Sequence, residues 1–340
     1  MLDALENGDF GELLELQKKS SHKVPRPSAE SVFSRLEGIL AGDSASGGSK
    51  ASKVLLQRAR TELQNFLVSP MEFTTNGLVA SRGEHSIFEG EYAKNQIFVL
   101  KVPLHNNAKE IIPILRELCI LKKLRHDLIV LLLGISLDEE NNLWVLTEPY
   151  SQFSLAQVLA ENQLSLETKF KIVFQVAQAL MHLHSLSPKI VFRNVQPSAF
   201  RLDREGNVKI ADFSLAYESG SCPERLDLLK LTDSNFSTLE YLSPESLSDS
   251  IGQSESDVYA FGVLLFSTFV GKAFSNKQGQ SLVNSILVER YRPELANLSL
   301  PEDLKKLIAR CWADEHNKRP LFDDICEQLH KMLSGLVAAV

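Results

Sequence analysis

Cysteine is scarce in this 340-residue chain. Cys119, Cys222, Cys311 and Cys326 stand far apart, with no CxxC spacing among them. That pattern excludes a disulfide framework and a cysteine zinc site, and it reads as reduced thiols. Long apolar runs are lacking as well: the most apolar stretch, Tyr259–Gly271, is too short to span a bilayer and reads as a buried helix. The opening residues, MLDALENGDFGELLE, have neither the basic start nor the apolar stretch of a secretory signal. Positive charge is not in excess. With 36 Lys and Arg against 43 Asp and Glu, the formal charge is -7, which leaves no electrostatic footprint for nucleic acid or an anionic membrane. The expectation is a cytoplasmic protein with no nucleic-acid or membrane partner.

At 44% hydrophobic and 23% charged residues, the chain has ample material for a core without a metal or disulfide staple. Three regions separate by composition. Residues 1–70 read as a helical N-terminal region, with short amphipathic helices near Leu2–Lys18 and Ala29–Leu40 parted by the proline-containing stretch His22–Ser28. Within it, Gly42–Ser52 (GDSASGGSKAS) has the composition of a flexible linker. Lys53–Leu67 then places Leu56, Ala59, Leu63, Phe66 and Leu67 at helical spacing. That helix has two readings, a helix packed on the following domain or a docking helix for a partner.

From Phe73 the pattern turns to strands: Leu78–Ser81, Ile87–Tyr92 and Gln96–Val102, separated by glycine- or asparagine-containing turns. Pro113 is expected in the first turn of a helix that runs to about Lys123, where a missing N–H costs nothing. Strands at Leu128–Ser136 and Asn142–Glu148 follow, and after Tyr150 the chain becomes helical, led by Leu166–Ser185. Five strands around one helix followed by a helical half predict an α+β, two-lobed fold. Its small lobe spans 71–148 and its helical lobe 151–337.

The segment VFRNVQPSAFRLDREGNVKIADFSLA, Val191–Ala216, resembles the protein-kinase stretch from the HRD catalytic loop to the DFG motif. Around it, in order, stand VLK at 99–101, Glu117 followed by LKKLRH, LWVLTE at 143–148, LSPE at 242–245, SDVYAFGVLL at 256–265 and CWADEHNKRP at 311–320. The pattern is most similar to tyrosine-kinase-like serine/threonine kinases and implies a bilobal kinase fold over residues 71–337. The resemblance implies that Lys101 meets nucleotide phosphates with Glu117 as its ion-pair partner, although such a pair could equally brace the small lobe without a ligand. It also implies that Asp212 ligates magnesium, that Thr147 is the gatekeeper, and that Glu148 and Tyr150 offer hinge backbone groups to adenine.

Several positions depart from the pattern. HRD reads Phe192-Arg193-Asn194, and an amide at Asn194 cannot accept a hydroxyl proton at neutral pH. Gln196 removes the loop lysine, and Ala199 replaces an asparagine with a methyl that cannot ligate a hard cation. Ser214 takes the glycine place of DFG. The three places of GxGxxG fall on Ala80, Arg82 and His85, with Gly83 the one glycine nearby. Val99 and Arg201 stand above and below the expected adenine ring.

Other positions keep the pattern. Leu121, Leu132, Phe192, Phe213 and Asp257 match the column that joins kinase lobes, and Glu245 and Arg319 match an ion pair of the large lobe. Arg193 is retained and could pair with a phosphate on the segment Asp212–Glu245, which is otherwise a polar loop. The expectation is a pseudokinase, a scaffold or allosteric regulator in intracellular signalling with at most weak ATP and magnesium binding. Its partner would be a protein, such as an active kinase. The alternative is a weakly active serine/threonine kinase.

Overall fold

The computed structural model describes residues 27–42, 50–82, 85–104, 108–151, 153–161, 164–203, 205–221, 236–249, 252–271 and 279–337. It divides into two compact units, Met1–Gln152 and Phe153–Val340. The expected helix at Leu2–Lys18 lies outside the described residues, as do Gly83 and positions 43–49 of the expected linker.

The first unit opens with helices α1 (Ala29–Gly42) and α2 (Lys50–Leu63). Ser52, Leu56, Ala59 and Leu63 form the buried stripe of α2, at the spacing that puts residues on one helix face. A five-stranded antiparallel sheet follows, in the order β1-β2-β3-β5-β4. Its strands are β1 (Phe73–Arg82), β2 (His85–Tyr92), β3 (Asn95–Pro103), β4 (Leu132–Leu137) and β5 (Asn142–Thr147). Helix α3 (Ala108–Leu121) lies between β3 and β4 in the chain, and α2 packs against it.

Pro113 stands inside α3 and not in its first turn. The helix already begins at Ala108, so the missing N–H of Pro113 withdraws the donor that the Lys109 carbonyl would otherwise receive. Beside the sheet, Arg35 of α1 donates to the Asp138 carbonyl at 2.6 Å and to Asn141 Oδ1 at 2.7 Å, fastening α1 to the β4–β5 turn.

The packing bears out the reading of α2 as a helix packed on its own domain. The connection after it belongs to the sheet core too: Leu67 bridges Ile135, and the Val68 N–H donates to the Ile135 carbonyl at 2.9 Å. Val68 then packs with Leu131, Leu133 and Leu146 on one face of the sheet.

The second unit carries α4 (Leu155–Glu161) and the long α5, which spans Leu166–Ser185 as expected, capped by Ser165 Oγ accepting the Thr168 N–H. Short strands β6 (Ile190–Val191), β7 (Phe200–Leu202), β8 (Val208–Ile210) and β9 (Tyr217–Glu218) pair as β6–β9 and β7–β8. Helices α6 (Pro244–Asp249), α7 (Ser254–Val270), α8 (Gly279–Leu287), α9 (Glu302–Cys311) and α10 (Phe322–Val337) complete it. The run Tyr259–Gly271 falls within α7 and its cap, and it is buried on nearly every side, from Val258 through Phe266. Such all-round burial requires apolar residues on all faces. No described helix is long and apolar enough to cross a membrane.

Candidate functional site

Asp257 of α7 organises the catalytic-loop region of the second unit. Its side chain is 1% exposed. Oδ2 accepts the Phe192 N–H at 2.8 Å and Oδ1 the Arg193 N–H at 2.7 Å, while His184 Nε2 lies 2.9 Å from Oδ2. A buried carboxylate demands such partners, and supplying them fixes the loop backbone. Arg193 can then hold φ 58, an uncommon left-handed conformation for a non-glycine residue. The Phe192 ring is fully buried and meets Phe213 edge-on at 5.3 Å. The aromatic replacement of histidine is therefore absorbed as core.

Asn194 and Asp212, which the resemblance assigns to phosphoryl transfer, each pair with a residue two positions on. Asn194, 6% exposed, accepts a hydrogen bond at Oδ1 from Gln196 Nε2 at 2.7 Å. A neutral amide pair thus stands where the resemblance expects a base and a cation. Ala199 is buried. Asp212 Oδ1 accepts from the Ser214 hydroxyl at 2.6 Å and from the Ser214 N–H at 3.1 Å. Serine at the glycine place therefore caps the carboxylate that the resemblance assigns to magnesium. Asp212 remains an oxygen donor, but with Ala199 beside the loop the donor set for a second metal lacks its amide.

Arg193 is already engaged. Its Nε donates to the Leu215 carbonyl at 2.6 Å, and its guanidinium lies 5.0 Å from the Tyr217 ring centroid. Tyr217 in turn donates to the Gly252 carbonyl at 2.9 Å. Of the activation-segment hydroxyls, Ser219 and Ser221 are described, and Ser221 Oγ donates to the Glu218 carbonyl at 2.6 Å. Thr232 and Ser234 and the side chains of Ser237 and Thr238 lie outside the described residues.

In the first unit the expected site residues separate. Across β3 and β5, Phe98 faces Thr147, Leu100 faces Val145, Val99 faces Leu146 and Lys101 faces Trp144. Directly opposed residues share a face and neighbours alternate, so Lys101 and Thr147 occupy opposite faces of the sheet. Lys101 Nζ lies 5.2 Å from the Trp144 ring centroid, a cation–π contact. No Lys101–Glu117 ion pair stands among those of the described residues. Val99 is fully buried with Ile97, Leu131, Leu133 and Leu146.

On the Thr147 face, the Phe98 ring meets Tyr150 edge-on at 5.1 Å. Glu148 is turned inward: its Oε1 accepts the Leu131 N–H at 2.9 Å, and its own N–H donates to the Leu131 carbonyl at 3.1 Å. The Glu148 N–H is thereby committed to the sheet.

The Asn194–Gln196 pair, the Ser214 cap, the Lys101–Trp144 contact and the Tyr217 stack escape a reading by motif, because a motif gives the residue at each position and not the contact between positions.

The family described as protein tyrosine and serine/threonine kinase matches residues 78–329. Receptor-interacting serine/threonine-protein kinase 3 of Rattus norvegicus is 31% identical over 283 residues, 77% of this chain and 56% of that protein. Serine/threonine-protein kinase CTR1 of Arabidopsis thaliana is 30% identical over 236 residues, 68% of this chain and 28% of that protein. A probable serine/threonine-protein kinase of Dictyostelium discoideum is 31% identical over 225 residues, 65% of this chain and 20% of that protein. The chain thus spans about a quarter to just over half the length of the first two relatives and a fifth of the third. With the five-stranded sheet of the first unit and the helical second unit, the match over residues 78–329 establishes that the chain belongs to the protein kinase family.

Proposed function

We propose that this chain is a pseudokinase: a kinase-family domain that does not transfer phosphate at a useful rate and acts in signalling as a scaffold or allosteric partner of another protein. The observation that carries this reading is the Asn194–Gln196 amide pair. Phosphoryl transfer is largely positioning and electrostatics, with a carboxylate to take the hydroxyl proton and cations to offset charge on the transferred group. At neutral pH two amides supply neither. The Ala199 methyl and the Ser214-capped Asp212 weaken metal binding in the same place.

The names of the relatives, together with the retained Asp212, favour a second reading, a weakly active serine/threonine kinase. Incubation of the full chain with labelled MgATP or MnATP and a generic protein substrate separates the two. The pseudokinase reading expects no transfer above that of an Asp212→Ala variant. Transfer that Asp212→Ala abolishes overturns it. Asn194→Asp alone is expected to restore nothing measurable, because Gln196 and Ala199 still lack the cation and the amide. Activity in that single variant would show that the base was the one missing part.

A further inference from the structure

We infer that Phe98 and Leu100, and not Val99 and Lys101, are the β3 side chains on the sheet face that would meet a nucleotide, so that this face rejects a triphosphate. The inference deepens the pseudokinase reading and rests on it for the assignment of that face.

The β2–β3 connection decides the register. Tyr92 pairs with Asn95 around a two-residue turn, Ala93–Lys94, whose φ values are 49 and 70. Two positive φ values in a two-residue loop make the turn that matches strand twist in hairpins. From it the pairing runs without a break: Phe88 opposes Val99 and Ser86 opposes Lys101. The ladder to β5 is likewise unbroken from Phe98 to Pro103. Because side chains alternate with period two, a single residue of register decides the face of every side chain on the strand.

Independent contacts agree on both faces. One face gathers Val99, Ile97, Leu146, Leu131, Leu133 and Val68, with Trp144 against them and Lys101 over its indole. The other carries Thr147 with Phe98, whose ring abuts Tyr150. Leu132 also opposes Thr147 and is fully buried. The position level with Thr147 therefore holds a phenyl ring, and the next position along the strand holds leucine where a phosphate would need a cation. An apolar wall cannot repay the desolvation of a polyanion.

The test compares the wild-type chain with Lys101→Met, Leu100→Lys and Phe98→Ala/Leu100→Lys. Binding of ATP and of adenosine, with magnesium, is followed by calorimetry, and an acyl-phosphate derivative of ATP reports any lysine placed at the phosphates. Lys101→Met is expected to leave ATP affinity unchanged while shifting Trp144 emission, read in a Trp312→Phe background. Lys101 is expected to escape acylation by the ATP probe but not by a general amine acylator. The double variant should bind MgATP about tenfold or more tightly than wild type, as a charged contact to phosphate warrants.

Loss of wild-type ATP binding in Lys101→Met, or acylation of Lys101 by the probe, overturns the inference even if the leucine variants fail to fold. A folded double variant with unchanged affinity overturns it too. Phosphate transfer by wild type would sink the pseudokinase reading; if it is indifferent to Lys101→Met, it would overturn the rejection of a triphosphate while leaving the β3 register assignment standing. Nucleotide binding through Lys101 without any transfer would overturn the register assignment and leave the pseudokinase reading standing.

Discussion

Replacing Arg319 by methionine is expected to lower unfolding stability by about 3–5 kcal/mol, the usual cost of leaving a buried charge without its partner. The Arg319 side chain is 0% exposed. Nη1 donates to Glu245 Oε1 at 2.6 Å and Nη2 to Oε2 at 3.0 Å, a bidentate pair. Nη1 also donates to the Glu255 carbonyl at 2.8 Å and Nε to the Ala313 carbonyl at 3.0 Å. The guanidinium stacks 5.2 Å from the Tyr259 ring, with Arg292 at 5.0 Å from the same ring. One side chain thereby ties the start of α6, the start of α7 and the approach to α10 together.

Removing it strands the Glu245 carboxylate with Ser256 Oγ, which donates at 2.8 Å. Urea denaturation checks the loss, with Lys318→Met as control. That lysine pairs with Glu315, and both side chains are well exposed, at 65% and 60%, so the control should cost no more than about 1 kcal/mol. The double variant Glu245→Gln/Arg319→Met should lose less than Arg319→Met alone, because the uncompensated charge goes with its partner.

The same pair sets a pH dependence. Burial pushes the Glu245 carboxyl up, but the hydrogen bonds and charge of Arg319, helped by Ser256, hold it down to about 2. A carboxyl depressed in the folded state binds its proton more readily when unfolded. Its contribution is therefore complete above the ordinary glutamate range near pH 4.3 and is lost as pH falls toward 2. The wild type should lose stability over that window. In Glu245→Gln that part of the slope should vanish; an unaltered acid limb in denaturation curves between pH 5 and 2 would refute the assignment.

The long helix of the second unit was legible from its apolar face and its end signal, and α7 from its continuous apolar run. Leu166–Ser185 was read to the residue, its Ser165 cap preceding an unbroken period of 3.6. The large-lobe ion pair was legible because matched positions meet each other. The face of Lys101 was not. Ile97, Phe98 and Val99 are all buried, so the strand is apolar on both sides and the period-two signal that would orient it disappears. Its register was left to the turn at Ala93–Lys94, which has neither the glycine nor the asparagine that announces such a turn. The missing base at Asn194 and the missing metal ligand at Ala199 were legible as absent chemistry. Their consequence, the amide pair with Gln196, depended on a contact that no spacing encodes.

Among single substitutions in the first unit, a large effect is expected from parting α2 from α3. Ala59 is 0% exposed on the stripe with Leu56 and Leu63, and α2 makes its most extensive packing contact with α3. Around this interface Arg58 pairs with Glu62 at 2.9 Å, and Lys122 reaches Glu62 Oε2 at 3.3 Å. Beyond it Arg35 holds the β4–β5 turn. Ala59→Arg must bury a long charged side chain where only a methyl fits, with no partner provided. That is expected to cost at least about 3 kcal/mol, from overpacking and desolvation together. Val54→Arg on the exposed side of the same helix, 62% exposed, should change stability by no more than about 0.5 kcal/mol.

A chain starting at Met71 loses more still, because it removes Leu67 and Val68, whose backbone pairs with Ile135 and whose side chains fill the sheet core. Starting at residue 27 keeps each of these contacts, and its melting against that of the full chain measures what residues 1–26 add. If the chain begun at Met71 melted with the full chain, helices α1 and α2 would be passengers on the sheet. Partner capture that survives in the chain begun at residue 27 and fails in folded Ala59→Arg would instead place the partner's demand on the α2–α3 packing itself.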